Sequence, residues 1–93
     1  MYLKDVYENW RNIPGEGAYT PIPDFTGVAG EKLLLGIMAS PNAGISAYYS
    51  TPDTINQLKS WIQVNNHQLK GFMIWDSNWD ANNGYLISNV CLA

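Results

Sequence analysis

A cluster of aromatic and hydrogen-bonding side chains directly follows an apolar run at residues 71–74. The run ends in a tryptophan, and the cluster reads Trp75, Asp76, Ser77, Asn78, Trp79 and Asp80. An aromatic ring beside carboxylates and amides suits a carbohydrate, because the axial C–H face of a sugar packs on the ring while its hydroxyls find acceptors. The residue types therefore favour a sugar site. The alternatives are that Trp75 packs in a core and that Asp76 and Asp80 cap the segment that follows.

The composition is that of one small globular domain. The chain has 93 residues, of which 46% are hydrophobic and 14% charged, unlike the charged, aromatic-poor composition of disordered segments. Its net charge is −3 and its five Lys and Arg residues are scattered, so no basic stripe is present to neutralise phosphates. No apolar run approaches the roughly 20 residues that span a bilayer. We therefore expect neither a nucleic-acid nor a membrane partner.

Metal and thiol chemistry are not expected either. Cys91 is the single cysteine and His67 the single histidine, so an internal disulfide cannot form and a zinc site lacks ligands. We expect no metal and no cofactor. Cys91 is predicted to pack as a small apolar side chain.

Two helices and two strands are predicted from hydrophobic spacing. An amphipathic N-terminal helix is indicated by apolar residues three and four apart, namely Leu3, Val6, Tyr7 and Trp10. A long loop rich in Pro and Gly follows, from about residue 14 to residue 30. Thr51 and Pro52 can begin a second helix, as its cap and first helical residue. The apolar runs at residues 32–39 and 71–75 flank that helix and predict strands.

Two strands joined by a helix predict a right-handed parallel βαβ unit, and hence an α/β fold. Their hydrophobicity is continuous, which is typical of strands buried on both faces. Two such strands cannot form a stable sheet alone, so we expect the chain to belong to a larger α/β protein. A homo-oligomer that covers the exposed sheet edges is the alternative. Because parallel strands end at one edge of a sheet, Ser40 and Asn42 are expected near Trp75 and Asp76.

The segments KLLLGIMASPNAG and KGFMIWDSNWDANNGY resemble the last two strand units of a glycoside hydrolase family 18 chitinase of the bacterial and fungal type. In that family the seventh barrel strand runs into Leu-Pro-Ala-Ser-Pro or a similar sequence. The eighth typically reads Gly-Val-Met-Thr-Trp-Ser-Ile-Asn-Trp-Asp. Matching positions in this chain are Gly36, Ala39, Ser40, Pro41, Gly71, Met73, Trp75, Asn78, Trp79 and Asp80. The resemblance covers about residues 31–85.

The resemblance implies that residues 1–93 are the C-terminal portion of a (β/α)8 TIM barrel. Such a barrel cleaves β-1,4-linked N-acetylglucosamine by a substrate-assisted, retaining mechanism, in which the N-acetyl oxygen attacks the anomeric carbon while a glutamate protonates the leaving oxygen. By the same resemblance Trp75 floors the subsite under the distorted sugar. Met38, near the end of the first strand, and Asp76, next to the tryptophan in sequence, are predicted as further substrate-binding residues. The implied partner is chitin or its oligomers, and we expect the full-length parent to be secreted.

Two departures from the family pattern bear on catalysis. The acid/base glutamate belongs to an Asp-x-x-Asp-x-Asp-x-Glu motif on the fourth strand, and this spacing does not occur among the eight acidic residues. We therefore assign no catalytic residue and expect no hydrolysis by this chain alone. Asp76 also stands where the family usually has Ser. Two other functions remain open: a carbohydrate-binding barrel without catalysis, and a small oligomerising α/β interaction module.

Overall fold

The computed structural model describes residues 2–14 and 20–92, and these form an α/β domain with two parallel strands and four α-helices. The strands are β1 (Leu34–Met38) and β2 (Gly71–Trp75). The helices are α1 (Tyr2–Arg11), α2 (Pro52–Val64), α3 (Ser77–Asn82) and α4 (Leu86–Leu92). Short 3-10 turns at Gly30–Lys32 and Ser46–Tyr48 lie on either side of β1. The predicted βαβ unit is therefore confirmed, and the described residues contain no barrel.

The strands pair in parallel, with Leu34 opposite Gly71 at one end and Met38 opposite Trp75 at the other. At the first end the chain approaches itself closely. The Lys70 N–H donates to the Gly30 carbonyl over 3.0 Å, and a Cβ atom on Gly30 would collide with the carbonyl of Gln68. A glycine at position 30 therefore lets the segments that lead into the two strands lie side by side.

The prediction that both strands are buried on both faces is wrong. Alternate residues of β1 differ sharply, since Leu35 is 2% exposed and Leu34 is 50% exposed. Leu35 and Ile37 belong to the core, and Phe72 and Ile74 of β2 pack against it from the same face of the sheet. The opposite face carries Leu34, Gly36, Met38, Gly71, Met73 and Trp75. The described helices cover only one of the two faces of the sheet.

The helices on the covered face follow from their sequences. Thr51 caps α2 by accepting from the Thr54 N–H, and Pro52 takes the first helical position, both as predicted. Helix α2 buries Ile55, Leu58 and Ile62, and α1 buries Leu3 and Tyr7. Helix α1 runs antiparallel to the strands, because Tyr2 at its start packs on Tyr48, beyond the end of β1, while the Tyr7 hydroxyl donates to the Gln68 carbonyl before β2.

Two residues and one segment differ from what their sequence suggests. Trp10 was expected in the core from its helical spacing, yet it is 48% exposed. His67 lies in a turn, as its polar neighbours suggest, but it is half-buried with its ring 5.0 Å from the ring of Trp61. The region after β2, for which no helix is predicted, forms α3 and α4. The long-loop prediction falls partly on residues 15–19, which lie outside the described residues.

In the described part of the chain, no helix combines the length and the apolar character needed to cross a membrane.

Candidate functional site

The two strands end side by side, and this end of the sheet carries the residues singled out by sequence. Met38 and Trp75 are partners in the strand register. The ladder continues one step further, where the Ala39 N–H donates to the Trp75 carbonyl over 2.9 Å. Both side chains stand on the uncovered face of the sheet. The predicted neighbourhood of Met38 and Trp75 is therefore present.

Trp75 is 56% exposed, so it is not a core residue. Its exposure follows from strand periodicity, because the neighbouring Ile74 points to the helix-covered face and Trp75 to the other. The peptide bond between Trp75 and Asp76 is cis. An indole ring that is more than half exposed, on a backbone fixed by sheet hydrogen bonds, offers a flat apolar surface to a ligand.

Met38 borders this surface on the neighbouring strand. It is half-buried, and a Cβ atom on Gly44 would lie 3.5 Å from its methyl carbon. The loop after β1 therefore passes over one side of Met38. On the same face Met73 is also exposed. Methionine side chains adapt their shape to what they contact, so the surface around the indole is apolar and deformable.

Asp76 follows the tryptophan and caps α3. Its Oδ1 atom accepts from the Trp79 N–H over 3.2 Å, and the side chain is half-buried. This is the capping role that sequence left open. The cap occupies one carboxylate oxygen of Asp76.

Asp80 stabilises the packing of the helices and is not part of the exposed surface around Trp75. It is 4% exposed, and its carboxylate accepts from the Ser88 N–H over 3.3 Å and from the Ser88 hydroxyl. It thereby ties α3 to α4. Asn78, another polar residue of the cluster, is exposed. In the loop after β1, the Ser40 hydroxyl accepts a hydrogen bond from the Asn42 N–H over 3.2 Å.

Two features of this end of the sheet were missed by sequence. The Asn83 side-chain amide donates to the Ala39 carbonyl over 3.0 Å, which fastens the end of α3 to the end of β1. Tyr2 and Tyr48 form an exposed aromatic pair with ring centroids 5.2 Å apart. Asn83 has no local signal, because its partner is 44 residues away. The tyrosine pair follows from the antiparallel course of α1, which the sequence does not determine.

A groove of about 970 Å³ lies away from the predicted residues. It is bounded by β2, by α2 and by α4, and its apolar lining includes Ile62, Leu69, Phe72, Ile74 and Leu92. Lys59 and Cys91 also line it. Burial raises the pKa of the Cys91 thiol, the nearby Lys59 lowers it and the Asp80 carboxylate raises it. A thiol with a raised pKa is a poor nucleophile at neutral pH, so Cys91 is not an activated thiol.

Within residues 2–14 and 20–92, no three His, Cys, Asp or Glu side chains come close enough together to hold a metal ion.

Comparison of the chain with protein-family models, with curated proteins and with solved structures found no match. The function therefore has to be argued from the site itself.

Proposed function

We propose that this chain is the C-terminal portion of a chitinase-like (β/α)8 barrel, in which Trp75 forms the floor of a site for β-1,4-linked N-acetylglucosamine. Met38 lies beside the floor on the neighbouring strand, and Asp76 directly follows Trp75 in the chain. The proposal joins the sequence resemblance of residues 31–85 to the exposure of these side chains.

The observation that carries the proposal is that helices cover one face of the sheet and leave the other face exposed. In a (β/α)8 barrel the helices cover the outside of the strands, and alternate strand residues point inward. Here Leu35 and Ile37 pack under helices, whereas Leu34, Met73 and Trp75 are apolar but exposed. The exposed set corresponds to the inward-facing residues of a barrel wall.

The free edges of the sheet agree with this assignment. Among the described residues, β1 and β2 pair only with each other, so each strand has one unpaired edge. In a closed barrel a neighbouring strand would pair along each of these edges. Ligands bind to such barrels at the carboxyl ends of the strands, which is where Trp75 lies.

The chemistry assigned to this chain is binding without hydrolysis. Its carboxylates do not follow the spacing of the family's acid/base motif, and the two nearest to Trp75 in sequence are engaged: Asp76 caps α3 and Asp80 bonds Ser88. In the parent barrel the acid would come from another strand, and the chain would supply the sugar floor.

Calorimetric titration with chitotriose tests the floor directly. We expect the 93-residue chain to bind chitotriose and Trp75→Ala to lose most of the binding, because the stacking surface is removed. Trp10→Ala is the matched control, since Trp10 is similarly exposed but lies on α1. Equal binding by the Trp75→Ala and Trp10→Ala variants would show that Trp75 is not the floor.

A self-assembling α/β interaction module is the second candidate. It is favoured by the same exposed apolar face, which a second copy could cover. Light scattering after size exclusion separates the two functions. A dimer that dissociates when Met73 is replaced by Lys, together with no response to chitotriose, would favour the module. A monomer that binds chitotriose would favour the sugar floor.

A further inference from the structure

The groove between β2, α2 and α4 is separate from the proposed sugar floor. Its volume of about 970 Å³ falls in the range of small-molecule sites, which is roughly 300–1,000 Å³. Trp75, Met38 and Asp76 do not line it. The groove is therefore a second place on this molecule where a ligand can be held.

The walls of the groove are largely apolar and come from three elements. Ile62 belongs to α2, Phe72 and Ile74 belong to β2, and Leu92 belongs to α4. Phe72 and Ile74 are only half-buried, and Leu92 is exposed. An apolar ligand would cover the remaining exposed surface of these side chains, which is favourable in water.

The charged side chains of the groove favour an anion. They are Lys59, Lys70 and Glu31, so the lining carries a net positive charge when His67 is counted as neutral, although the whole chain carries −3. The Lys59 ammonium donates to the Val90 carbonyl over 2.9 Å, which holds it between α2 and α4. Within residues 2–14 and 20–92, the Lys70 ammonium has no hydrogen bond or ion pair. An anionic group can therefore bind at Lys70.

The cation and the apolar residues of β2 follow one another along the strand. Lys70 directly precedes β2, Phe72 and Ile74 lie within it, and these alternate positions all line the groove. At a rise of about 3.3 Å per residue, Lys70 and Ile74 are about 13 Å apart along the chain. An extended alkyl chain of about ten carbon atoms has this length, since a C–C bond is about 1.5 Å long.

We infer that the groove binds a free, medium-chain linear carboxylate, with its alkyl chain along Phe72 and Ile74 and its carboxylate at the ammonium of Lys70. Lys59 adds to the attraction from the opposite wall. The inference goes beyond the proposed function and does not rest on it, because Trp75 stands on the other face of the sheet.

The test compares two ligands with the same tail and opposite charges. The 93-residue chain is titrated in a calorimeter with decanoate and with decylammonium, below the concentrations at which either forms micelles. The net charge of −3 favours the ammonium at every other surface, so a preference for the carboxylate has to come from the groove. We expect decanoate to bind about tenfold more tightly. Equal or tighter binding of decylammonium, or no binding of decanoate, would overturn the inference.

A pair of lysine variants tests the position of the carboxylate. Lys70→Gln should weaken decanoate binding about fivefold, because it removes a partly solvated ion pair. Lys32→Gln is the matched control, since Lys32 is also exposed but does not line the groove. It should bind decanoate as the wild type does. Equal losses in the two variants would mean that the carboxylate responds to overall charge and is not bound at Lys70.

A pair of apolar variants tests the position of the tail. Leu92→Ala should weaken decanoate binding about threefold, because it removes apolar surface from the groove. Val64→Ala is the matched control, since Val64 is similarly exposed at the end of α2 and does not line the groove. Both residues are exposed, so neither change should disturb the fold. Equal affinities of the two variants would show that the tail lies elsewhere.

Cys91 reports whether the groove is occupied. It is the single cysteine and lines the groove, so saturating decanoate should slow its alkylation by iodoacetamide. Trp75→Ala should bind decanoate and protect Cys91 as the wild type does, whereas the sugar floor predicts that this variant loses chitotriose. Decanoate binding that leaves Cys91 unprotected, or that is lost in Trp75→Ala, would place the ligand outside the groove and overturn the inference. The sugar floor is tested by chitotriose alone, so either proposal can fail without the other.

Discussion

The two faces of the small sheet have the same apolar character but very different surroundings. Leu35 and Ile37 point to one face and are buried beneath helices, whereas Leu34 and Met73 point to the other and are about half exposed. Burial of a large apolar side chain contributes about 1.5–3 kcal/mol, so the uncovered face forgoes a large part of that stabilisation. An apolar face without a cover is expected where a ligand or another part of a larger fold makes contact.

Within β2, the residues that stabilise the fold are also distinct from those that are available to a ligand on the open face. The residues of the segment Gly71–Trp75 alternate between the core and the open face, so neighbours in sequence serve different ends. Ile74 packs against the core, and Trp75 is available to a ligand. Substitutions on the two faces should therefore have different effects on folding and on binding.

The largest expected effect is on the covered face. Leu35→Ala should lower the free energy of unfolding by about 2–5 kcal/mol, because it leaves a cavity in the core. Leu34→Ala is the matched control on the next residue and should cost about 1 kcal/mol or less, since Leu34 is half exposed. Urea denaturation followed by far-UV circular dichroism measures both. Similar losses in the two variants would mean that the open face is covered in solution.

The sequence predicted the local features of this arrangement better than the distribution of burial. The cap at Thr51, the strand at residues 71–75 and the position of Trp75 at its end depend on neighbouring residues, and these predictions are confirmed. The exposure of one sheet face could not be read from the sequence, because the apolar runs are continuous and do not show which residues helices will cover. The position of Met38 beside Trp75 followed from parallel pairing alone.

The helices after β2 were missed for different reasons. Helix α3 has six residues and a largely polar sequence, so it has no apolar stripe. Its start is nevertheless marked by Asp76, whose type suits a cap. Helix α4 does carry a helical signal, since Leu86, Ile87, Val90 and Cys91 are spaced to share one side. The same spacing argument, applied to residues 86–92, would have predicted this helix.

A smaller effect should distinguish the two carboxylates near the strand end. Asp80→Ala should lower the free energy of unfolding by about 2 kcal/mol, because it leaves two donors of the half-buried Ser88 without their carboxylate partner. Asp76→Ala removes a half-exposed cap and should cost about 1 kcal/mol. Thermal and urea unfolding give both values. The assignment of Asp80 to the packing of α3 on α4, and of Asp76 to a half-exposed cap, would be contradicted if the order of the two losses were reversed.

The smallest expected effect concerns the pH dependence of the covered side. Burial raises the pKa of the Cys91 thiol in the folded state, so the folded chain holds this proton more tightly than the unfolded chain. The resulting stabilisation is complete below the pKa of the unfolded thiol and is lost as the pH rises through the folded-state pKa. Cys91→Ala removes this contribution while leaving the titration of Lys and Tyr residues in place. The difference in unfolding free energy between the wild type and Cys91→Ala should therefore move against the wild type as the pH rises through the alkaline range. Parallel curves would mean that water reaches the thiol equally in the folded and unfolded states, and that the side of the sheet under α4 is less well covered than its packing indicates.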